Sequence, residues 1–389
     1  MTISGPLKGI QILDLTSVGM GPMATQILGD MGADVIKIET AGGDVFRHVH
    51  PQRHKGMSHV FLSLNRNKKS MVLDAKTPQG QKIIHQLVRQ CDVFISNMRA
   101  LALSKLGLDH ETLERLNPRL IYAVCYGYSQ SGTYAGRSAI DDTIQAACSL
   151  ASFQGHNKSA PEFVNTVTAD KIVALYVVNA ISMALYERTQ SNLGQFIEIP
   201  MFECMTSFMA VEHLAGKGFI PDLGHTGYQR VLNPYRKPYA SLDGFISVAP
   251  YTDEQWIRFF KISRQDELLG DARFMSASAR SQHIEVLYSL LEQIIAKRSN
   301  EEWSQLLSQA DIPFSAVFSL ADLVDDPHLA SIDFWKEFDH PTEGKIRMAG
   351  VPVKFSRTPG EIRSPAPGLG EHTDEIMAQL GLRSFNIEQ

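Results

Sequence analysis

Strand-like and helix-like segments alternate along the first 126 residues of the chain. Short apolar runs at 9–15 and 33–39 flank a segment, 22–31, whose apolar residues recur with helical spacing. Because parallel strands need helical crossovers, this alternation predicts a parallel, doubly wound α/β sheet that binds ligands at the carboxyl ends of its strands. Further strands are predicted at 70–74, 92–96, 119–126 and 195–200, and further helices at 77–90, 109–116, 140–151 and 169–189.

The pattern changes towards the carboxyl terminus. A Gly-, Pro- and Tyr-rich connection at 218–238 precedes a predicted hairpin, 238–241 and 245–249, which turns at Leu242-Asp243-Gly244. Helices between 253 and 307 and a strand at 313–318 complete a smaller α+β unit, and the tail adds a strand at 345–355 and a helix at 371–380. We therefore predict a large domain at 1–205, a linker at 206–235, a small domain at 236–330 and a return segment at 331–389.

Composition excludes several classes of protein. The 389 residues are 44% hydrophobic and 20% charged, and the net charge of −5 argues against nucleic-acid binding. The most apolar run, 172–185, is too short to span a bilayer and contains Asn179 and Ser182, so no membrane association is expected. Four scattered cysteines are typical of reduced thiols and favour a cytoplasmic location.

Three motifs leave alternatives open. Gly19–Ala24 fits G-x-G-x-x-A and Glu39 ends the next strand, which suggests NAD binding or only tight strand-to-helix packing. The loop 47–59 carries four histidines and three cations. It favours an anion-binding or solvated loop over a metal site, since it lacks an i, i+4 ligand pair. The cluster 65–69 contains three cations, which either face phosphates or form an exposed turn.

Asp170 is the candidate nucleophile. It lies in the first turn of a long apolar helix, after a predicted cap at Thr168, where the helix dipole favours an ionised carboxylate. The alternative is that Asp170 only stabilises the helix start. Because the chain has no P-loop, HExxH or EF-hand motif and breaks the G-x-S-x-G spacing, any covalent chemistry would fall to a carboxylate.

Several segments along the chain match one known family. They are 7–16, 21–22, 32–39 (GADVIKIE), 64–70 (LNRNKKS), the surroundings of Asp170, 194–201 (GQFIEIPM), 350–355 (GVPVKF) and 369–373. In these segments the sequence resembles the family III CoA-transferases, which include formyl-CoA transferase, carnitine CoA-transferase and the bile-acid-inducible proteins. The resemblance covers almost the whole chain and is specific for the family rather than for a substrate.

The resemblance implies a Rossmann-like large domain, a smaller domain and a homodimer whose two chains interlock. It also implies that Asp170 is the catalytic aspartate and that the substrate is coenzyme A as a thioester, with neither NAD nor a metal. The positions that match the family's CoA-contact regions are Val18, Leu73, Lys76, Asn97, Arg99, Lys105 and Arg137.

The chain departs from the family pattern at three places. Ser17 and Gly19 stand where some members carry His and Gln, so the chain lacks those two polar side chains. The glycine-rich loop of formyl-CoA transferase has no counterpart near 235–238. Ile140 occupies the position of the histidine of the family's racemases, which argues against proton abstraction because that chemistry needs a second acid/base group.

The sequence thus predicts transfer of CoA from an acyl-CoA donor to a free carboxylic acid, through anhydride and aspartyl-CoA thioester intermediates. Arg230, Arg236, Lys237 and Tyr239 either bind a second carboxylate, which suggests a small dicarboxylate as acceptor, or have only a surface role. The alternatives are an acyl-CoA racemase or epimerase of the same family, a NAD-dependent oxidoreductase, and a non-catalytic acyl-CoA-binding protein.

Overall fold

The computed structural model describes residues 4–382. Its strands are β1 Gln11–Leu15, β2 Asp34–Glu39, β3 Lys68–Val72, β4 Val93–Ser96, β5 Ile121–Tyr126, β6 Gln195–Pro200, β7 Tyr239–Ala240, β8 Phe245–Val248, β9 Phe314–Ala316, β10 Trp335–His340 and β11 Gly344–Ala349. Its α-helices are α1 Met20–Asp30, α2 His59–Leu64, α3 Pro78–Val88, α4 Ala100–Lys105, α5 His110–Leu116, α6 Asp141–Ala147, α7 Leu150–Gln154, α8 Thr168–Ser191, α9 Met201–His213, α10 Gln229–Leu232, α11 Asp253–Ile262, α12 Ala277–Gln282, α13 Ile284–Ile295, α14 Asn300–Gln309, α15 Leu320–Val324, α16 Pro327–Ser331 and α17 Thr373–Gln379. Short 3₁₀ helices lie at Val45–His48, Ala215–Gly218 and Asp266–Gly270.

The first six strands form one parallel sheet in the order β3-β2-β1-β4-β5-β6, which confirms the predicted α/β fold. Successive side chains of a strand point to opposite faces. Ile12 therefore packs with α1 and α8, whereas Leu13 packs with α3 and α5 on the other face. The strand order reverses between β1 and β4, and parallel sheets bind ligands outside the carboxyl ends of the strands at such a point.

Helix ends follow local chemistry. The Thr77 side chain accepts from the N–H of Gly80, and Pro78 occupies the first helical position, so α3 begins one residue after the predicted start. The helix expected at 140–151 is instead two helices, because Ser149 between them has a left-handed backbone (φ 70°) that no helix accommodates.

The tail differs from the prediction. The strand expected at 345–355 ends at Ala349 and pairs antiparallel with β10, which was not predicted. The pairing stops before Pro352, whose ring nitrogen has no hydrogen to donate to a ladder.

The chain divides into two compact units. Among the described residues, unit 1 comprises residues 4–154, 162–209 and 330–382, and unit 2 comprises 155–161 and 210–329. Unit 2 contains the antiparallel sheet β7-β8-β9, which confirms the predicted hairpin by the pairs Tyr239–Ile246 and Ala240–Phe245. Its core is aromatic, with Phe259 stacked on Trp303 at 6.0 Å between ring centres.

Helix α8 is 24 residues long, and by length and composition alone it is long and apolar enough to cross a membrane. In unit 1 it packs against the sheet through Val173, Val177 and Ile181, which are fully buried. The helix is therefore a core element of unit 1.

The cations at 65–69 neither face a ligand nor form an exposed turn. Arg66 pairs with Asp30 at 2.7 Å, and the fully buried Lys68 pairs with Asp14 at 3.2 Å. Lys69 pairs with Glu375 at the surface. Both interpretations of this cluster were wrong, because its acidic partners, Asp14 and Asp30, lie more than 35 residues away in sequence.

The loop 47–59 is also largely structural. Arg47 is buried, pairs with Glu39 at 2.7 Å and lies 3.7 Å from the ring centre of Phe61, so it is not free to meet an anionic ligand. His54 pairs with Glu343. Across residues 4–382, no group of three or more His, Cys, Asp or Glu side chains is arranged to hold a metal ion.

Replacing Lys68 by Met tests the buried pair. The change leaves Asp14 as an uncompensated buried carboxylate, so the free energy of unfolding falls by about 3–5 kcal/mol. Urea unfolding of Lys69→Met is the matched control, since an exposed pair contributes less than about 1 kcal/mol. Equal losses in the two variants would contradict a structural role for the buried pair.

Candidate active site

A cavity of about 300 Å³ lies at the point where the strand order reverses. The loop after β1 and the residue after β4 form one side of it, and the starts of α6 and α8 form the other. The lining residues are Ser17, Val18, Gly19, Met20, Phe46, Asn97, Cys125, Tyr126, Gly127, Ala139, Ile140, Asp141, Asp142, Val167, Asp170 and Met201. The sequence-predicted residues Val18, Asn97 and Asp170 are thus brought together.

Asp170 occupies the third position of α8, and its side chain faces this cavity. The predicted cap at Thr168 is wrong: the helix begins at Thr168, and Val167 precedes it without a capping side chain. The cap comes from another helix, because Asp141 Oδ1 accepts a hydrogen bond from the N–H of Asp170 at 2.9 Å. The side-chain nitrogen of Gln145 donates to the other carboxylate oxygen of Asp141. The side-chain oxygen of Gln145 accepts a hydrogen bond from the N–H of Val164.

The electrostatics of Asp170 differ from the prediction that the helix start keeps it ionised. Burial, together with the negative charges of Asp141 and Asp142, raises the pKa of this carboxyl to about 6. Asp170 is only 8% exposed, and no side-chain hydrogen bond stabilises its charge within residues 4–382. The carboxylate is therefore poorly solvated, which makes it a better nucleophile than an ordinary aspartate once it is ionised.

Gly19 leaves the room that Asp170 occupies. A methyl group at position 19 would lie 2.2 Å from Asp170 Oδ2, so a side chain there would require the Asp170 carboxylate to shift. Helix α1 begins immediately after Gly19, and Pro22 supplies no N–H in its first turn. Among the described residues, the N–H groups of Met20 and Gly21 have no acceptor in the protein. Two helix starts, those of α1 and α8, therefore meet at the Asp170 carboxylate.

Asn97 joins the two loops at this point of the sheet. Its side-chain oxygen accepts from the N–H of Ser17 at 3.1 Å, and its side-chain nitrogen donates to the Ser17 carbonyl at 2.8 Å. The amide of Asn97 is thus largely used within the protein, and it fixes the separation of the loops after β1 and β4.

The other predicted CoA-contact residues are divided between two regions. An adjoining cavity of about 490 Å³ shares Asn97 and Ile140 with the first and is lined also by Arg99 and Arg137. Arg137 lies 3.9 Å from the ring centre of Tyr134, and Arg99 donates to the Ser138 hydroxyl. The residues that line neither cavity are Leu73, Lys76 and Lys105.

The cavity lining carries no histidine, and the exposed Asp142 is its one carboxylate besides Asp141 and Asp170. Ile140, at the position of the racemase histidine, lines the cavity and is 63% exposed. Burial raises the pKa of the Cys125 thiol well above its ordinary value and that of Tyr126 to about 12, so both stay protonated at neutral pH. Asp141 is engaged by Gln145 and the backbone of Asp170.

Sequence reasoning missed Asp141 and Gln145. In the sequence, Asp141-Asp142 before a helical pattern is typical of an ordinary helix start. Only the fold places Asp141 at the start of a second helix, where it binds the N–H of Asp170, 29 residues later. Cys125, Tyr126 and Met201 also line the cavity and were missed. Their position at the carboxyl ends of β5 and β6 was the available signal.

The family model for CoA-transferase family III matches residues 7–373. The succinyl-CoA:glutarate CoA-transferase of Mus musculus is 32% identical over 380 residues, which cover 96% of this chain and 86% of the mouse protein. The succinate–glutarate CoA-transferase of Agrobacterium fabrum is 30% identical over 386 residues, which cover 96% of each chain. The crystal structure of a CAIB/BAIF family protein from Brucella suis superimposes with a TM-score of 0.82 and 29% identity, covering 97% of this chain and 100% of that one.

The fold and the cavity define an α/β enzyme with a buried carboxylate at the reversal point of a parallel sheet. The chain belongs to CoA-transferase family III and is a CoA-transferase. The resemblance drawn from the sequence is confirmed. An enzyme of this class uses CoA thioesters as substrates, as the family name states.

Asp170→Asn is expected to stabilise the protein at pH 7. The folded-state pKa of about 6 lies above the ordinary aspartate value of 3.8, so the ionised carboxylate destabilises the folded state and wild-type stability falls as the pH rises through 6. Removing that charge adds about 1–3 kcal/mol to the free energy of unfolding at pH 7, and the gain vanishes near pH 4.

Urea unfolding at pH 4 and pH 7 measures this difference. Asp339→Asn, which removes an exposed carboxylate from β10, is the control and changes stability by less than about 0.5 kcal/mol at either pH. If Asp170→Asn gains the same stability at both pH values, burial does not raise the pKa of the Asp170 carboxyl.

Proposed function

We propose that Asp170 is the nucleophile of the CoA transfer and carries the acyl and CoA groups in turn. One observation carries the proposal: a carboxylate 92% removed from solvent, with no side-chain hydrogen-bond donor among the described residues, lies in a cavity where two helices begin. Burying a carboxylate without a partner is costly, so the site keeps it for a reason other than stability.

The first half-reaction releases the donor acid. Asp170 attacks the carbonyl carbon of the donor thioester, the C–S bond breaks, and a mixed anhydride and CoA thiolate form. The thiolate then attacks the aspartyl carbonyl carbon, and the bond between this carbon and the bridging oxygen of the anhydride breaks. The donor acid leaves with one oxygen from Asp170, and an aspartyl-CoA thioester remains.

The second half-reaction repeats these steps in reverse order. The acceptor carboxylate attacks the aspartyl thioester and displaces the CoA thiolate, which gives a second anhydride. The thiolate attacks the acceptor carbonyl, forms the new acyl-CoA and frees the Asp170 carboxylate. Because one thioester replaces another, the exchange needs no ATP.

Each tetrahedral intermediate carries a negative oxygen that needs donors. Gly19 lies beside the Asp170 carboxylate, and the N–H groups of Met20 and Gly21 that follow it have no acceptor in the described protein, so we assign them this role. Donors placed in advance in a site with little water are worth several kcal/mol to such an intermediate. Their lack of partners in the free enzyme supports the assignment.

A small dicarboxylate is the acceptor we favour. The mouse and Agrobacterium relatives are named for succinate and glutarate. In unit 2, the predicted cations Arg230, Arg236 and Lys237 line one cavity of about 300 Å³ together with Tyr239, which suits an anionic ligand. Lys237 also pairs with Glu292 at 2.9 Å.

We propose that the enzyme is a cytoplasmic homodimer. Three apolar side chains of α8, Leu175, Met183 and Tyr186, are 50–68% exposed and recur along one face of the helix. Exposed apolar stripes of this kind mark protein interfaces, and a second copy of the chain is the partner that the family resemblance implies. The four cysteines are free thiols, which suits a reducing compartment.

Substitution and trapping of Asp170 test the mechanism. With succinyl-CoA and glutarate, Asp170→Ala lowers kcat/KM by about 10³-fold or more, since no other nucleophile reaches the thioester. Wild-type enzyme treated with acyl-CoA and then hydroxylamine carries a hydroxamate at Asp170, detected by peptide mass. Transfer at the wild-type rate by Asp170→Ala would overturn the assignment, and Asp170→Ala that still binds CoA is the control for folding.

Light scattering tests the dimer. The expected mass is twice the 43.2 kDa of one chain, and Met183→Glu together with Tyr186→Lys shifts the population towards monomer because charges are placed in an apolar interface. Glu187→Lys, which changes an exposed charge on the same helix, leaves the mass unchanged. A monomeric wild-type protein at micromolar concentration would contradict the proposal.

A further inference from the structure

Val18, in the loop that faces Asp170, has an unusual backbone. Its φ angle is 72°, in the left-handed region that a β-branched residue avoids because the side chain crowds the backbone. Such a conformation persists only where the surrounding structure enforces it. The next residue, Gly19, is the one whose missing side chain leaves space for the Asp170 carboxylate.

The N–H and carbonyl groups of Thr16 and Ser17 and the N–H of Val18 are all hydrogen-bonded. Thr16 N–H donates to Asp14 at 2.8 Å, and the carbonyl of Thr16 accepts from Lys37 Nζ at 2.7 Å. Both backbone groups of Ser17 bond to the amide of Asn97. The N–H of Val18 itself donates to Asp44 Oδ1 at 3.1 Å.

Lys37 and Asp44 join these bonds into one unit. The two side chains pair at 2.9 Å, and each is only 1% exposed. One end of the pair binds the chain before the left-handed residue, at the Thr16 carbonyl, and the other end binds the N–H of Val18. Asp44 also accepts from the N–H of Phe46, another residue of the cavity, so the pair fixes the cavity wall on both sides.

We infer that Lys37 and Asp44 are positioning residues for the transfer: the buried pair holds Val18 left-handed and thereby sets Gly19 and the start of α1 against Asp170. The inference rests on the proposed role of Asp170. Neither side chain lines the cavity, so the pair acts through the loop rather than on the substrate. A left-handed Val18 is the element that relaxes when the pair is lost.

A double-mutant cycle tests this directly. Lys37→Met with Asp44→Ala removes both charges and so leaves no unpaired ion in the interior. In the Val18 background we expect kcat to fall about tenfold or more. In the Val18→Gly background the same pair of changes costs less than about threefold, because glycine adopts φ near 72° without enforcement. A fall of equal size in both backgrounds, or no fall in either, would overturn the inference.

Two controls separate positioning from stability. Asp30→Ala with Arg66→Met removes a buried pair at the far end of α1, and it lowers urea stability while kcat stays within about twofold. Should the Lys37/Asp44 double variant not fold, Asp44→Asn in the same two backgrounds carries the test, with a smaller fall confined to the Val18 background.

The cycle also distinguishes failure of the inference from failure of the proposed function. Hydroxylamine trapping is run on every variant. If the wild-type enzyme forms no hydroxamate at Asp170, the proposed nucleophile is wrong. If trapping is normal and the effect of Lys37 and Asp44 is independent of position 18, only the positioning role is wrong.

Discussion

Two buried ion pairs, Asp14–Lys68 and Lys37–Asp44, hold the carboxyl end of the sheet in the form that the site needs. Lys68 also donates to the carbonyl of Pro22, so the first of these pairs ties β3 to the first turn of α1. Burial alone would raise the pKa of Asp14, but the nearby lysines and two threonine hydroxyls outweigh it and lower the pKa to about 2. The Asp14 carboxylate therefore stays ionised at neutral pH.

Asp170 is the counterpart of these pairs: a buried carboxylate that the fold leaves uncompensated. Its neighbours in the cavity are Asp141 and Asp142, which raise its pKa instead of lowering it. In the proposed mechanism stability is exchanged for reactivity, since the charge that destabilises the folded state is the charge that would attack the thioester. In the sequence, the position of Asp170 at a helix start left open a purely structural role. In the structure the same position supports a role in the reaction, but for a different physical reason. Desolvation and repulsion, rather than the helix dipole, set the properties of this group.

Local pattern predicted the sheet well, because buried parallel strands and their crossover helices leave a strong periodic signal. β6 was predicted to the residue, and Gly19 was identified as a departure from the family. Local sequence pattern could not predict which residues pair when they lie far apart in the sequence. Nothing near Lys68 indicates Asp14, and nothing near Asp141 indicates the N–H of Asp170, so the cation cluster at 65–69 was misread and Asp141 was missed. The left-handed Val18 was equally hidden, since a β-branched residue gives no local sign of that conformation.

Oxygen-18 tracing tests the central claim, that Asp170 forms and resolves anhydrides. Wild-type enzyme is turned over with an acyl-CoA donor and an acceptor whose carboxylate is labelled with oxygen-18, and the peptide that contains Asp170 is then weighed. The mechanism leaves an acceptor oxygen on Asp170 after each turnover, so the label must appear in that carboxyl group. An Asp170 peptide that stays unlabelled after many turnovers would show that the aspartate never becomes covalently linked to the acceptor.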